Sequence, residues 1–354
     1  MITCCSGGDM EISGILEALK ERAQWTEARK IIVRAGLKAG KGWPRTISRY
    51  AGADVMQESA DALASGLAEH VLVGDKALRL YQIPDENLAE LRSFASEIEV
   101  PESPFSLAFP CKAVDGARLG NDESVLCEKY NDDDGIFLVY SSIRKFEIKE
   151  RLDLAALGEL PAALAGFSAV YGSKIIERQL FDILWIPLAG NIVFSIADSP
   201  KGVPPEFISA AHAKIRKTLM DGIGYYPEPI NLFGAIQAAY DSQWGTVVEL
   251  GFLTDTGSVK HEHMKLTCLR EEPFHVGGKG AVDGIIHPFS ILIRWLEKDG
   301  DMEWEPEFTL HSSVYEAHSI NPSLHDAYFG SGIIVRDLKR LRRRLSHILE
   351  SNPA

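Results

Sequence analysis

Apolar residues recur at helical spacing near both ends of the chain and alternate through much of its middle. Ile12, Ile15, Leu16 and Leu19 mark a first helix over 10–24. Thr26 and Glu27 open a second, which runs to Arg34 before Gly36, Gly40, Gly42 and Pro44 break the pattern. A third starts at Asp54, with Val55, Met56, Ala60, Leu63 and Leu67 on one face. The period changes at Val71: Val71–Val73 and Ala77–Ile83, either side of Gly74-Asp75, read as a short hairpin. Pro84 ends it, and a helix over 85–98 follows.

Beyond the proline-rich stretch 100–110, alternation predicts strands over 124–129, 135–140 and 143–151, with a turn at Asn131–Gly135. A short helix over 153–165, a hairpin of 175–188 with 191–197, and a helix from Pro205 to Met220 come next. The remainder reads as a helix over 230–240 and strands near 246–253, 264–269, 289–296 and 307–314. A closing helix over 335–349 carries Leu338, Leu341, Leu345 and Ile348 on one stripe.

These elements predict an α+β chain in three parts: a small helical, winged-helix-like N-terminal module (1–99), a β-rich central domain (100–224) and a C-terminal α+β domain (225–354). The length of 354 residues suits more than one core. Over 10–84, the order of three helices and a hairpin resembles the layout of winged-helix DNA-binding domains. That resemblance implies a helix in the major groove and a wing on the backbone. The helix in the recognition position, 54–69, departs from it: it carries Asp54, Glu58, Asp61 and Glu69 and no Lys or Arg. Phosphate contacts would then fall to the second helix and the Gly42–Arg45 loop.

Charge sharpens this picture. The net charge is -13, but residues 22–50 hold eight basic groups and one acid, Glu27. The candidate nucleic-acid contacts are Arg29, Lys30, Arg34, Lys38, Lys41, Trp43, Arg45 and Arg49. A second basic run, Arg336 to Arg344, lies on the closing helix and reads as a solvated face or as one paired with the protein's own acids. The N-terminus has neither the basic start nor the apolar core of a signal peptide, and the most apolar stretch, 183–197, is too short to span a bilayer. Five cysteines without CxxC spacing argue against a disulfide framework or a zinc ribbon. A cytoplasmic protein with no membrane partner is expected.

Chemistry-bearing motifs are partial. Seven of ten histidines fall between 261 and 325. His261 and His263 share a strand face, and with His275 or His287 and a carboxylate such as Asp283 they would hold a divalent metal able to activate water. Phe274–Gly280 reads as a glycine-rich turn able to present amides to a phosphate, though it is no Walker A loop. Asp134 with Glu147 and Lys149 has the order of a magnesium-dependent nuclease triad spread over adjacent strands. The first expectation is a binding or adaptor protein of a multi-component system, whose basic module engages nucleic acid or an acidic partner. A metal-dependent hydrolase or nuclease, and a structural subunit contacting other proteins, are the alternatives.

Overall fold

The computed structural model describes residues 11–53, 55–113, 119–120, 123–153, 164 and 166–351. Asp54, the Cys4-Cys5 pair and most of the short helix read over 153–165 lie outside them.

The described residues open with four helices: α1 (Ile12–Arg22), α2 (Trp25–Arg34), α3 (Trp43–Tyr50) and α4 (Gln57–Val73). Their apolar faces close a small core of Leu16, Leu19, Ile31, Ile32, Leu63 and Leu67 with neighbours. The hairpin expected over 71–83 is absent. Val71, Leu72 and Val73 complete the last turns of α4, continuing its stripe from Leu67 and Ala68. Gly74 ends the helix, its amide donating to His70 O at 2.8 Å. The next segment is a single strand, β1 (Lys76–Gln82), so the module has no wing. The predicted Gly42–Arg45 loop is instead the start of α3, with Gly42 at φ 104° and Pro44 in the first turn.

The remaining elements are α5 (Asp85–Glu97), α6 (Pro104–Ala108), β2 (Val125–Asp132), β3 (Gly135–Arg151), β4 (Tyr171–Pro187), β5 (Ile192–Asp198), α7 (Pro205–Ile223) and α8 (Phe233–Asp241). They continue with β6 (Thr246–Leu253), β7 (Val259–His263), α9 (Pro273–Gly280), β8 (His287–Arg294), β9 (Glu297–Asp299), β10 (Met302–Trp304), β11 (Glu307–His311), α10 (Val314–Ala317), β12 (Ala327–Gly330) and α11 (Val335–Ser351). Together they make a mixed α+β fold.

Ten strands form one antiparallel sheet in the order β2-β3-β4-β5-β1-β12-β11-β8-β6-β7. β1 lies at its middle, pairing with β5 on one side and β12 on the other. The sheet therefore takes strands from all three predicted segments. β1 is buried on both faces, so its apolar residues Ala77, Leu78, Leu80 and Tyr81 do not alternate with polar ones. Leu78 and Leu80 point to a core shared with α4, α8 and α11, while Tyr81 and Ile83 point to one shared with α5 and α7. Helices thus cover both faces. Among the described residues no helix is long and apolar enough to cross a membrane.

Candidate nucleic-acid interface

Helix α2 buries Ala28, Ile31 and Ile32 against the helical core, which leaves Arg29 and Val33 exposed and Trp25 half-buried on its outer side. Its start is fixed by a reciprocal cap between Gln24 and Glu27. Gly36 takes a left-handed conformation (φ 76°) at the helix end, and the chain turns back through Lys38–Gly42. That turn is tied to α3 at two points. Thr46 Oγ1 accepts from Gly40 N at 2.8 Å, and Tyr50 Oη accepts from Lys38 N at 2.8 Å. A Cβ at Gly40 would lie 2.9 Å from Arg45 Cβ, so the close approach needs glycine.

Thr46 and Tyr50 are the buried stripe of α3, which turns Arg45 and Arg49, one helical turn apart, to solvent. The outcome is an open depression of about 570 Å³ lined by Trp25, Arg29, Gly40, Lys41, Arg45 and Arg49. Trp43 packs edge-on against Trp25 with ring centroids 5.2 Å apart. Among the described residues Arg29, Lys30, Lys38, Lys41, Arg45 and Arg49 form no ion pair, whereas Arg34 pairs with Glu69 at 2.6 Å and Asp299 at 3.3 Å. Arg22 is likewise spent internally, on Asp198 at 2.6 Å. Of the eight predicted contacts, Arg29, Lys41, Arg45 and Arg49 meet around one depression, and Trp43 stands behind its Trp25 wall. Lys30 lies on the other side of α2, Lys38 stands exposed in the turn, and Arg34 is paired.

The predicted metal set does not come together. His261 and His263 share a face of β7, His263 bonding Glu249 at 3.0 Å and His261 packing edge-on against Phe289. His275 belongs to the opposite face. It is buried between Glu262, at 2.6 Å from Nδ1, and Tyr240 Oη, at 2.9 Å from Nε2. His287 bonds Asp255 at 2.7 Å. Among the described residues, no three His, Cys, Asp or Glu side chains are grouped to hold a metal ion.

The nuclease triad is also dispersed. Asp134 precedes β3, and Glu147 and Lys149 lie near its far end on the same unbroken strand. At about 3.3 Å per residue that puts roughly 40 Å between the acids. Asp134 is engaged by Lys339 at 2.7 Å, and Glu147 by Ser173. The expected phosphate loop 274–280 is helix α9. Pro273 opens it, and Glu272 caps the His275 amide at 2.6 Å, so the glycines follow an established helix start.

Two buried clusters escaped the sequence. Ser195 Oγ lies 2.7 Å from His212 Nδ1, with Asp326 3.8 Å from Nε2. The order is that of a hydrolytic triad, but Ser195 and His212 are both 0 % exposed. Burial, with Arg79 nearby, lowers the His212 pKa to about 3, and Arg79 grips Asp326 through two hydrogen bonds. A nucleophile that no substrate reaches is a structural joint. At the centre of the sheet, Asp198 receives Lys76 Nζ at 2.5 Å, Arg22 Nη2 at 2.6 Å and Phe181 N at 2.9 Å. Burial disfavours its charge, but Arg22 and Lys76 prevail and hold the carboxyl at about 2. The adjoining cleft has a volume of only about 30 Å³, room for a water molecule and not a substrate. Partners from helices and strands far apart in sequence make such clusters, so no local motif announces them.

No family model, no curated protein and no solved structure matches this chain.

Proposed function

We propose that this protein is a nucleic-acid-binding component, with the depression between α2 and α3 as its contact surface. One observation carries the reading. Four exposed cations, Arg29, Lys41, Arg45 and Arg49, converge beside Trp25 and form no ion pair among the described residues. On a chain of net charge -13, an uncompensated basic patch attracts polyanions locally while the body repels them elsewhere. Guanidinium groups match phosphate oxygens in pairs, and tryptophan offers a stacking face.

The test is anisotropy of a labelled oligonucleotide across a salt series. Binding at low salt should weaken linearly in log affinity against log salt, with a slope of about -3 for four phosphate contacts on a single strand. The triple variant Arg29→Ala, Arg45→Ala, Arg49→Ala should lose most of that affinity. Absence of binding to any nucleic acid at low salt, or equal binding by the triple variant, refutes the proposal.

A further inference from the structure

Strand β7 ends the ten-stranded sheet and pairs only with β6, Leu250 opposite Glu262 and Phe252 opposite Lys260. Met264 N donates to Val248 O at 2.7 Å, and Thr254 N to Ser258 O at 3.1 Å. Bonded pairs alternate along an antiparallel ladder, so Lys260 and Glu262 are the residues that bond inward to β6. The amides and carbonyls of Val259, His261 and His263 therefore point outward, and among the described residues no backbone hydrogen bond reaches them. The opposite edge of the sheet is guarded. There β2 is bulged between Leu126 and Glu128, packs beside α6, and has Lys129 donating to the carbonyls of Ser96 and Ile98 at 2.9 and 2.6 Å. β7 runs against β6 without a bulge, and four of its five residues are exposed. Uncovered apolar side chains border it. Leu266, three residues past its end, is 94 % exposed, and Phe274, next in sequence to the His275 that bonds Glu262, is 81 % exposed.

We infer that β7 is a self-association edge, pairing antiparallel with β7 of a second copy about a two-fold axis at His261. The strand's own sequence selects this occupant and this register. Val259-Lys260-His261-Glu262-His263 laid against itself sets Lys260 opposite Glu262 on both sides of the axis, Val259 opposite His263, and His261 opposite its copy. Outward-pointing residues then meet outward-pointing residues, so their amides and carbonyls bond across the axis. Sliding one strand by two residues keeps that bonding but sets Lys260 opposite Lys260, or Glu262 opposite Glu262, and like charges repel. Lys260 forms no ion pair among the described residues. Glu262 gives one oxygen, Oε2, to His275 Nδ1 at 2.6 Å, which leaves Oε1 for the lysine of the second copy. A lone lysine guards a sheet edge; a lysine with an acid two residues on makes the edge complementary to its own copy.

The experiment is sedimentation equilibrium of the full chain over a concentration series, without nucleic acid, so its outcome is separate from the reading above. Two short strands bury little area, so the expected product is a reversible dimer with a Kd on the order of tens of micromolar, weaker in high salt. Lys260→Glu, which sets acid opposite acid, should weaken it about tenfold or more. His261→Pro removes an outward amide and no inward one, so it should abolish the dimer and leave the urea midpoint nearly unchanged. His261→Cys under mild oxidation tests the register. Its two thiols flank the axis on residues about 5.5 Å apart at Cα, within disulfide range, whereas those of Val259→Cys lie far apart. Peptide mass spectrometry, which separates this bond from any made by the five natural cysteines, should find the link at position 261 and none at 259. A chain that stays monomeric at about tenfold above that Kd overturns the inference. So does a dimer left intact by both Lys260→Glu and His261→Pro, or one linked at 259 and not at 261.

Discussion

Residues 22–50 carry eight basic side chains and α11 with the residues after it carries six, so a charge plot treats the two ends of this chain alike. The structure separates them. On α11, Lys339 binds Asp132 and Asp134 at 2.6 and 2.7 Å, and Arg340 pairs with the buried Glu297. Arg344 lies 4.7 Å over the Trp295 ring and 5.1 Å over Trp244, and Arg342 5.7 Å over Trp185. Those cations fasten a helix to the sheet it covers. Around α2 and α3 the corresponding groups have solvent on their open side, and among the described residues only Arg22 and Arg34 of that segment pair with acids. Charge becomes a binding surface where the fold withholds counter-ions, not where charge is densest.

The strongest way to probe this division is at Arg22, the cation of the N-terminal segment that behaves like the C-terminal ones. Replacing Asp198 with Asn leaves Lys76, which is fully buried, and Arg22 without their carboxylate. Loss of one partner from a buried ion pair costs about 3–5 kcal/mol. Urea denaturation should show a midpoint lowered accordingly; a change below about 1 kcal/mol would mean that the cluster is not the joint described. Arg340→Ala is the next largest. It strands Glu297, which is 0 % exposed at its side chain and keeps the Trp295 indole at 3.0 Å and the nearby Arg344 charge. Because Arg340 itself is 42 % exposed, the cost is discounted to about 2 kcal/mol.

Periodicity found α7, α8, α11, β5 and β6 close to their observed limits, because each has a clean stripe bounded by proline or glycine. It failed at β1, where apolar residues ending a helix and opening a central strand merged into a false hairpin across Gly74. It failed at α9, where Gly277, Gly278 and Gly280 read as breakers although Pro273 and the Glu272 cap had already started a helix. The strand expected over 264–269 lies earlier, at 259–263, following a turn through Gly257 at φ 78°. At the candidate site the cations were legible and their partners were not. Glu69 lies 35 residues from Arg34, Asp198 lies 176 from Arg22, and Asp299, the other acid on Arg34, comes from β9, far along the chain. Trp25 was missed because a lone tryptophan at a helix start is indistinguishable from a core residue in sequence.

Glu27, the one acid within the basic segment, gives a pH-dependent test. Burial, then the nearby Asp75 carboxylate, pushes its pKa up to about 7. A carboxyl whose folded pKa lies above its unfolded value stabilises the fold fully below about pH 4.5, and that contribution is lost as pH rises through 7. Glu27→Gln keeps an oxygen for the Gln24 amide and removes the titration. Relative to the variant, the natural protein should lose on the order of 2 kcal/mol between pH 4.5 and 8. Other titrating groups, such as His70 with its pKa lowered to about 4 by burial and by Arg22 and Lys76, are common to both chains and cancel. Parallel stability curves for the two proteins would show that Glu27 is not held as described.

The smallest expected stability effect belongs to the surface with the largest expected functional one. Arg45 makes no ion pair among the described residues and projects from the outer face of α3, so Arg45→Ala should change unfolding free energy by less than about 0.5 kcal/mol. If its guanidinium meets a phosphate, the same substitution should reduce the salt slope of oligonucleotide binding by about 0.7 for a single strand. Lys339→Ala is the control from the other basic segment: it should lower stability by about 1 kcal/mol, because two acids lose their cation, and leave the slope unchanged. Urea curves and salt titrations on both variants therefore form a crossed pair. A slope that shifts with Lys339 and not with Arg45 would move the interface from α3 to α11 and reverse the comparison.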